Sequence, residues 1–249
     1  MTHQTLLIIP HFRDTHRLAP FLEELMATLP SRFAILISDD GSGDAEVARL
    51  RSLVSSVRQN FGSAGPVLLD PLLHQPNTGK GAAVFRGWDQ GAGYSRLAFA
   101  DADGAVCAAE ILRAEYYLRS DSGGHDALFG SRVKMLGRTI DRRLHRHLSG
   151  RVFATLVSMA SGLDSYDTQC GLKILTHAAF TKIRPHVRCA GFAFDVELCL
   201  LLQKAGQSII EFPVDWHDVA DGKVSLLKDS FGMAREVFEI CRRVSEIRF

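Results

Sequence analysis

The sequence predicts an α/β fold, a mostly parallel twisted sheet with helices on both faces. Three observations carry that expectation. Apolar runs of four or five residues, too short for helices, alternate with longer segments whose apolar residues recur at helical spacing. The order strand, helix, strand, helix joins parallel strands by crossover helices, and such a sheet is buried on both faces. Two of the short runs end abruptly in acids, Asp39-Asp40 and Asp101-x-Asp103, and sheets of this kind bind ligands beyond the carboxyl ends of their strands.

Thr5 to Ile9 reads as the first buried strand, ended by Pro10. Leu18, Phe21, Leu22, Leu25 and Leu29 mark a helix over 18–29. Ala34 to Ile37 is a second strand running into SDDGSGD, Ala45 to Val57 a second helix, and Val67 to Leu69 a weaker third strand. Asn77 to Gly87 is a glycine-rich turn entering a helix, and Leu97 to Ala100 is the fourth strand. Ala108 to Leu118 is helical, and Ala127 to Phe129 is a short strand ending in GSR. The segment 137–163 has a basic first half and an apolar second half, and is expected to be helical and peripheral. DTQCGLKIL enters another strand, Phe194 to Ala205 is a helix, and Ser208 to Pro213 is a strand finished by proline. Leu226 to Arg248 spaces its apolar residues as an amphipathic helix. The expected organisation is a main domain over 1–215 and a helical tail over 216–249, packed on it or lying at a membrane.

Composition fits one large domain, with 46% hydrophobic and 23% charged residues. Lysine and arginine number 29 against 28 acids, a balance that points away from nucleic acid. Cys107, Cys170, Cys189, Cys199 and Cys241 are odd in number and scattered, which argues against a disulfide framework or zinc site and for reduced, cytoplasmic thiols. The opening MTHQTLLIIP has no basic leader, and no run approaches the roughly 18 apolar residues of a membrane span, so membrane contact is expected to be peripheral.

Asp101 and Asp103 point the same way from extended backbone, with alpha carbons roughly 6.5–7 Å apart. Oxygen ligands in such a pair suit a hard divalent cation, Mg2+ or Mn2+, shared with a substrate phosphate; the same spacing also serves an Asx-type turn. NTGKGAAVFRG fails the Walker pattern, with His74 and Gly81 in the wrong places, and fails the dinucleotide-binding spacing too. It remains a turn with Lys80 and Arg86, feeding a helix whose amino end caps itself or favours an anion. The run Arg138, Arg142, Arg143, His145, Arg146, His147, Arg151 is either a solvated face or a phosphate site near a lipid surface. Asp195 and Glu197 are either a base and its helper or helix-capping acids. His11 and His217 lack ligand spacing and read as ordinary satisfied histidines.

The succession IIPHFRD, SDDGSGD, NTGKGAAVFRG, FADADGA, FGSR, DTQCGLKIL, GFAFDVEL and EFPVDWHDV resembles the family-2 inverting glycosyltransferases, in particular the dolichyl-phosphate glucosyltransferases and polyprenyl-phosphate mannosyltransferases. The resemblance implies a GT-A fold and metal-dependent, inverting transfer of a hexose from a nucleoside diphosphate sugar, UDP-glucose or GDP-mannose, to a lipid phosphate at the cytoplasmic face of a membrane. Carried over by position, it puts Pro10, Phe12, Asp14, Asp40, Lys80 and Asp101 around the nucleotide, and Mg2+ or Mn2+ on Asp101 and Asp103. Arg132, Arg142, Arg143, Arg146 and Ser149 would receive the acceptor phosphate, and Gln169 with Asp195 would shape the sugar pocket, so that Asp101, Asp103, Arg132 and Asp195 form the catalytic set. The chain departs from the family pattern at Phe12-Arg13-Asp14, where Tyr-Asn-Glu is usual, at Ala105, where mannosyl relatives have a glutamine, and at Asp221-Gly222-Lys223, where Gly-Ser-Lys is usual. Dolichol-dependent members also carry a membrane-spanning segment that this sequence lacks. Two other readings stand beside this one. Asp195 could be the base for a neutral hydroxyl acceptor, or the chain could be a non-catalytic nucleotide-sugar-binding subunit.

Overall fold

The computed structural model describes residues 4–63, 65–121, 123–141, 166–219 and 228–249. Eight strands among them form one sheet in the order β3-β2-β1-β5-β8-β6-β9, with β4 pairing β2. The strands are β1 (Thr5–His11), β2 (Phe33–Asp40), β3 (Val67–Leu68), β4 (Leu72–His74), β5 (Arg96–Ala100), β6 (Ala127–Ser131), β8 (Leu172–Thr176) and β9 (Ile209–Pro213). A second, two-stranded sheet pairs β7 (Ile140–Asp141) with β10 (Trp216–His217). Pairing in the main sheet is parallel except at β8, which runs antiparallel to β5 and β6 between them.

The helices are α1 (Thr15–Thr28), α2 (Asp44–Phe61), α3 (Lys80–Trp88), α4 (Ala108–Ser120), α5 (His177–Ile183), α6 (Phe194–Lys204) and α7 (Lys228–Glu246). Strand alternation sends Leu6 and Ile8 to one face of the sheet and Leu7 and Ile9 to the other. On the first face they meet α3, α5, α6 and α7; on the second, α1, α2 and α4. The first core is aromatic. Trp88 packs edge-on to Phe180 at 5.3 Å, Phe99 meets Phe194 at 5.4 Å, and Trp88 Nε1 donates to Ala98 O at 3.0 Å. Each large side chain buried in this way contributes about 1.5–3 kcal/mol.

Several boundaries differ from expectation. β1 runs through Pro10 to His11, because Ile8 is the last residue paired with β5 and beyond it β1 borders β2 alone, where proline is tolerated. β2 extends over Ser38, Asp39 and Asp40, all buried, since each acid finds partners inside the fold. At the start of the expected peripheral helix over 137–163, residues 140–141 form a short strand with β10 instead. The rest of that helix, and Leu226 and Leu227 of the tail, lie outside the described residues. The tail helix α7 buries Val237, Ile240 and Val244 against the first core, and Arg243 pairs with the wholly buried Glu197 of α6. No helix among the described residues is long and apolar enough to cross a membrane.

Candidate active site

β5 delivers Asp101 to the carboxyl edge of the sheet, and Asp101 N donates to Gly171 O at 3.0 Å. A Cβ at Gly171 would fall within clashing distance of the Asp101 carboxylate, so glycine there lets the two approach closely. Lys80 Nζ lies 2.5 Å from Asp101 Oδ1, above the rings of Phe99 and Phe194. Asp103 Oδ1 accepts from Ala105 N at 3.1 Å, and Gly104, at φ +68, packs on the ring of Phe21. The two acids differ electrostatically. Burial pushes Asp101 up but Lys80 outweighs it, with Lys173 and Arg132 assisting, so its carboxyl sits below the ordinary value. Asp103 is held above its ordinary value by burial and by the charge of Asp101. No group of three or more His, Cys, Asp or Glu side chains able to hold a metal occurs among the described residues. The oxygen pair with its repelling charges has the donor chemistry that suits a hard divalent cation.

Lys80 opens α3, and the turn before it is clasped by Asp40. Asp40 Oδ1 accepts from Thr78 N at 2.9 Å and Thr78 Oγ1 at 3.0 Å, and Oδ2 from Gly79 N at 2.6 Å. Gly79, at φ +113, faces Ala190 O so closely that no Cβ fits, and a Cβ on Gly81 would come within 2.6 Å of Phe194 Cβ. The start of α3 is thereby locked onto the loop that precedes α6. Burial would lower the Lys80 ammonium, but Asp101 and then Asp195 overcome it and hold it above its ordinary value.

Asp195, in the first turn of α6, is buried and faces two cations, Lys80 and Lys173. Lys173 Nζ is 2.5 Å from Asp195 Oδ1. Burial dominates and still raises the Asp195 carboxyl above its ordinary value. Arg132, just past β6, is gripped by Asp167: Nε and Nη2 donate to its two oxygens at 2.6 and 2.7 Å, and Arg132 N donates at 3.0 Å. Its guanidinium also lies over Trp216, at 5.7 Å from the ring centre. Gln169, two residues on from Asp167, keeps a buried Nε2 without a hydrogen-bond partner among the described residues.

At the end of β1 the Asp14 carboxylate is taken by Arg17, and Phe12 stacks with Arg13. His11 is a satisfied buried histidine as expected. Its Nδ1 is 2.7 Å from Asp39 Oδ1, and its Nε2 accepts from Asp14 N at 3.3 Å. Lys80, Asp101, Asp103, Asp195 and Arg132 form one electrostatic neighbourhood, while Pro10, Phe12, Asp14 and Asp40 border it along the ends of β1 and β2. Arg142, Arg143, Arg146 and Ser149 lie outside the described residues. Sequence reasoning passed over Lys173 and Asp167. The signal was present in both cases, a lysine inside the apolar run LKIL and an acid opening DTQCG.

No family model matches the chain. It is 30% identical to dolichyl-phosphate beta-glucosyltransferase of Saccharomyces cerevisiae over 246 residues, covering 93% of this chain and 72% of the yeast protein. Dolichyl-phosphate beta-glucosyltransferase of Homo sapiens is 27% identical, over 90% of this chain and 70% of the human one. Glycosyltransferase AglD of Haloferax volcanii is 30% identical, over 87% of this chain and 33% of its own length. Among solved structures, glucosyl-3-phosphoglycerate synthase from Mycobacterium tuberculosis, in complex with Mn2+, UDP and glucosyl-3-phosphoglycerate, superposes with TM-score 0.68 at 14% identity, over 99% of this chain and 81% of that one. The same enzyme with Mg2+ and UDP gives a TM-score of 0.64 at 12% identity, over 99% and 81%. The likeness bears out the GT-A fold expected from the sequence.

Proposed function

The chain belongs to the dolichyl-phosphate β-glucosyltransferase family and is a glycosyltransferase; from that premise we propose that it transfers a hexose from a nucleoside diphosphate sugar to a polyprenyl or dolichyl-type lipid phosphate, with inversion, at the cytoplasmic surface of a membrane. The observation that carries this reading is the convergence of Asp101, Asp103, Lys80, Asp195 and Arg132 at the carboxyl edge of the sheet. Three acids and two cations there suit a metal-bound diphosphate on one side and a phosphate on the other. UDP-glucose is the favoured donor, in keeping with the UDP-glucose and UDP complexes of the structural neighbour.

Asp101 and Asp103 would hold a Mg2+ or Mn2+ ion, whose chemistry is to neutralise the charge that grows on the departing nucleoside diphosphate. Lys80, 2.5 Å from Asp101, is poised to follow that charge onto the diphosphate. Asp40 holds the turn that carries Lys80, while Pro10, Phe12 and Asp14 border the place of the nucleoside. Gln169 and Asp195 form the sugar side, where the unpartnered Gln169 Nε2 is a donor available to a hydroxyl. A phosphate monoester is already anionic near neutral pH, so the acceptor needs alignment more than a base. Arg132, fixed by Asp167, supplies that alignment, assisted by Arg142, Arg143, Arg146 and Ser149, which follow it in the sequence.

The test is a panel of UDP- and GDP-sugars offered with a short-chain polyprenyl phosphate or a neutral alcohol. Transfer to the phosphate that Arg132→Ala slows about tenfold to a hundredfold supports the reading. Transfer only to the alcohol, lost in Asp195→Asn and indifferent to Arg132→Ala, would move the base role to Asp195. Donor binding without turnover would make the protein a binding subunit.

A further inference from the structure

Lys173 belongs to no role assigned so far, yet it is wholly buried on β8, between β5 and β6. Its register partners are Phe99 on β5 and Phe129 on β6, and its ammonium lies 5.3 and 5.5 Å from their ring centres. An ammonium has three protons to place. Here they meet three oxygens: the carbonyls Thr168 O at 2.8 Å and Cys170 O at 2.5 Å accept hydrogen bonds, and Asp195 Oδ1, 2.5 Å away, is the ion-pair partner. Two of these belong to the loop 167–171, in which Asp167 grips Arg132 and Gly171 abuts Asp101; the third opens α6.

We infer that Lys173 is a positioning residue for sugar transfer, a buried strut that fixes the loop 167–171 and the Asp195 carboxylate relative to each other and so sets the geometry between Arg132 and Asp101. The inference rests on the glycosyltransferase reading and deepens it. Burying an ammonium is costly unless its charge is paired, so the lysine holds these three oxygens in place as firmly as they hold it. Salt-bridge counting on the surface would miss such a contact, because its effect is geometric. A misplacement of about 1 Å in a transfer site costs on the order of a hundredfold in rate.

The experiment compares wild type, Lys173→Met, Lys173→Arg, Asp195→Asn and the Lys173→Met/Asp195→Asn double variant. Turnover and both Michaelis constants are measured from about pH 5 to 9, alongside thermal melts. Besides Lys173, Asp195 is faced by Lys80 from α3, Asp101 at the end of β5 and Cys199 from α6, and Lys173 is faced by Asp101, by Asp167 and Cys170 from the loop and by Cys199. Lys173→Met is expected to lower turnover about a hundredfold with donor KM changed less than about threefold, and to move the acidic limb of the pH profile upward, since Asp195 loses a partner that favours its charged form. Lys173→Arg should recover part of the rate. The double variant should be slower than Asp195→Asn alone, but by less than the loss that Lys173→Met causes in wild type.

Turnover of Lys173→Met within threefold of wild type, or losses that multiply in the double variant, would overturn the inference. Where Lys173→Met does not fold, Asp195→Asn decides: it keeps the lysine and the loop, and an unchanged acidic limb in that variant overturns the inference. A wild type that transfers no sugar from any donor overturns the glycosyltransferase reading itself, and the strut with it. A wild type that transfers beside an equally active Lys173→Met overturns the strut alone.

Discussion

Asp101 and Asp103 lie two residues apart yet meet different surroundings, since Lys80 compensates the first and nothing as close compensates the second. Asp103→Asn should therefore abolish transfer while leaving the fold intact. With the repulsion from Asp101 gone, and Asn able to accept from Ala105 N as Asp103 does, the melting temperature should rise by about 1–3 °C. Chelator should silence wild type as the substitution does, and full activity in chelator would separate the acids from any cation. Asp40 makes the contrasting case. Its carboxylate accepts three hydrogen bonds from the turn 78–79, so Asp40→Ala should cost about 2–3 kcal/mol in denaturant melts and raise the donor KM by loosening Lys80. A variant with wild-type stability and collapsed turnover would put Asp40 in the chemistry instead. Asp101, Asp103 and Asp195 were legible in the sequence because each interrupts or abuts an apolar run. Asp167 and Lys173 stand out in the sequence only as an acid and a lysine beside apolar residues; their roles lie in partners 35 and 22 residues away, Arg132 and Asp195, that only the folded sheet brings near.

The first helix borrows its cap from another element. Asp14 precedes α1 but makes no side-chain cap; Thr15 N donates instead to Glu46 Oε1 of α2 at 3.0 Å. That bond, against some opposition from burial, pulls the Glu46 carboxyl down to about 2 from an ordinary 4.5. A depressed folded-state value gives stability that is complete above the unfolded value and is lost as pH falls through the folded one. Glu46→Gln should thus cost about 1–2 kcal/mol at pH 7, after allowance for solvent screening, and the gap to wild type should close between about pH 4.5 and 2. Urea melts at pH 7 and pH 3 would measure it, and a gap independent of pH would show that the charge contributes nothing. The long elements were legible from their periodicity. β4 was not, since LLH is three residues between Pro71 and Pro76, and α5 was not, since HAAFTKI makes two turns and shows no full period.

At the scale of the molecule, the carboxyl edge of the sheet gathers the site, and the basic stretch 138–151 with the apolar run 152–163 follows directly after its Arg132 side. Purified protein should co-sediment with anionic vesicles at low salt and be released by roughly 0.5 M salt, where the Debye length falls below about 5 Å. Retention in the supernatant at low salt would argue for a soluble phosphate acceptor. The parallel α/β architecture was legible in the order of strands and helices, but the one reversed strand was not, since direction leaves no mark on the apolar pattern of LKIL. That reversal bears on how the chain assembles during synthesis. β8 is made after both of its neighbours, and β6 pairs only with β8 and β9. A ribosome that has released residues up to Asp141 therefore holds a half-sheet ending in an open β5 edge and a β6 with no partner at all, the kind of exposed apolar edge that invites pairing with another chain. Only when residues 172–176 emerge does the sheet become continuous, so the interval between these two moments is the nascent protein's period of greatest exposure to aggregation and of greatest need for a chaperone.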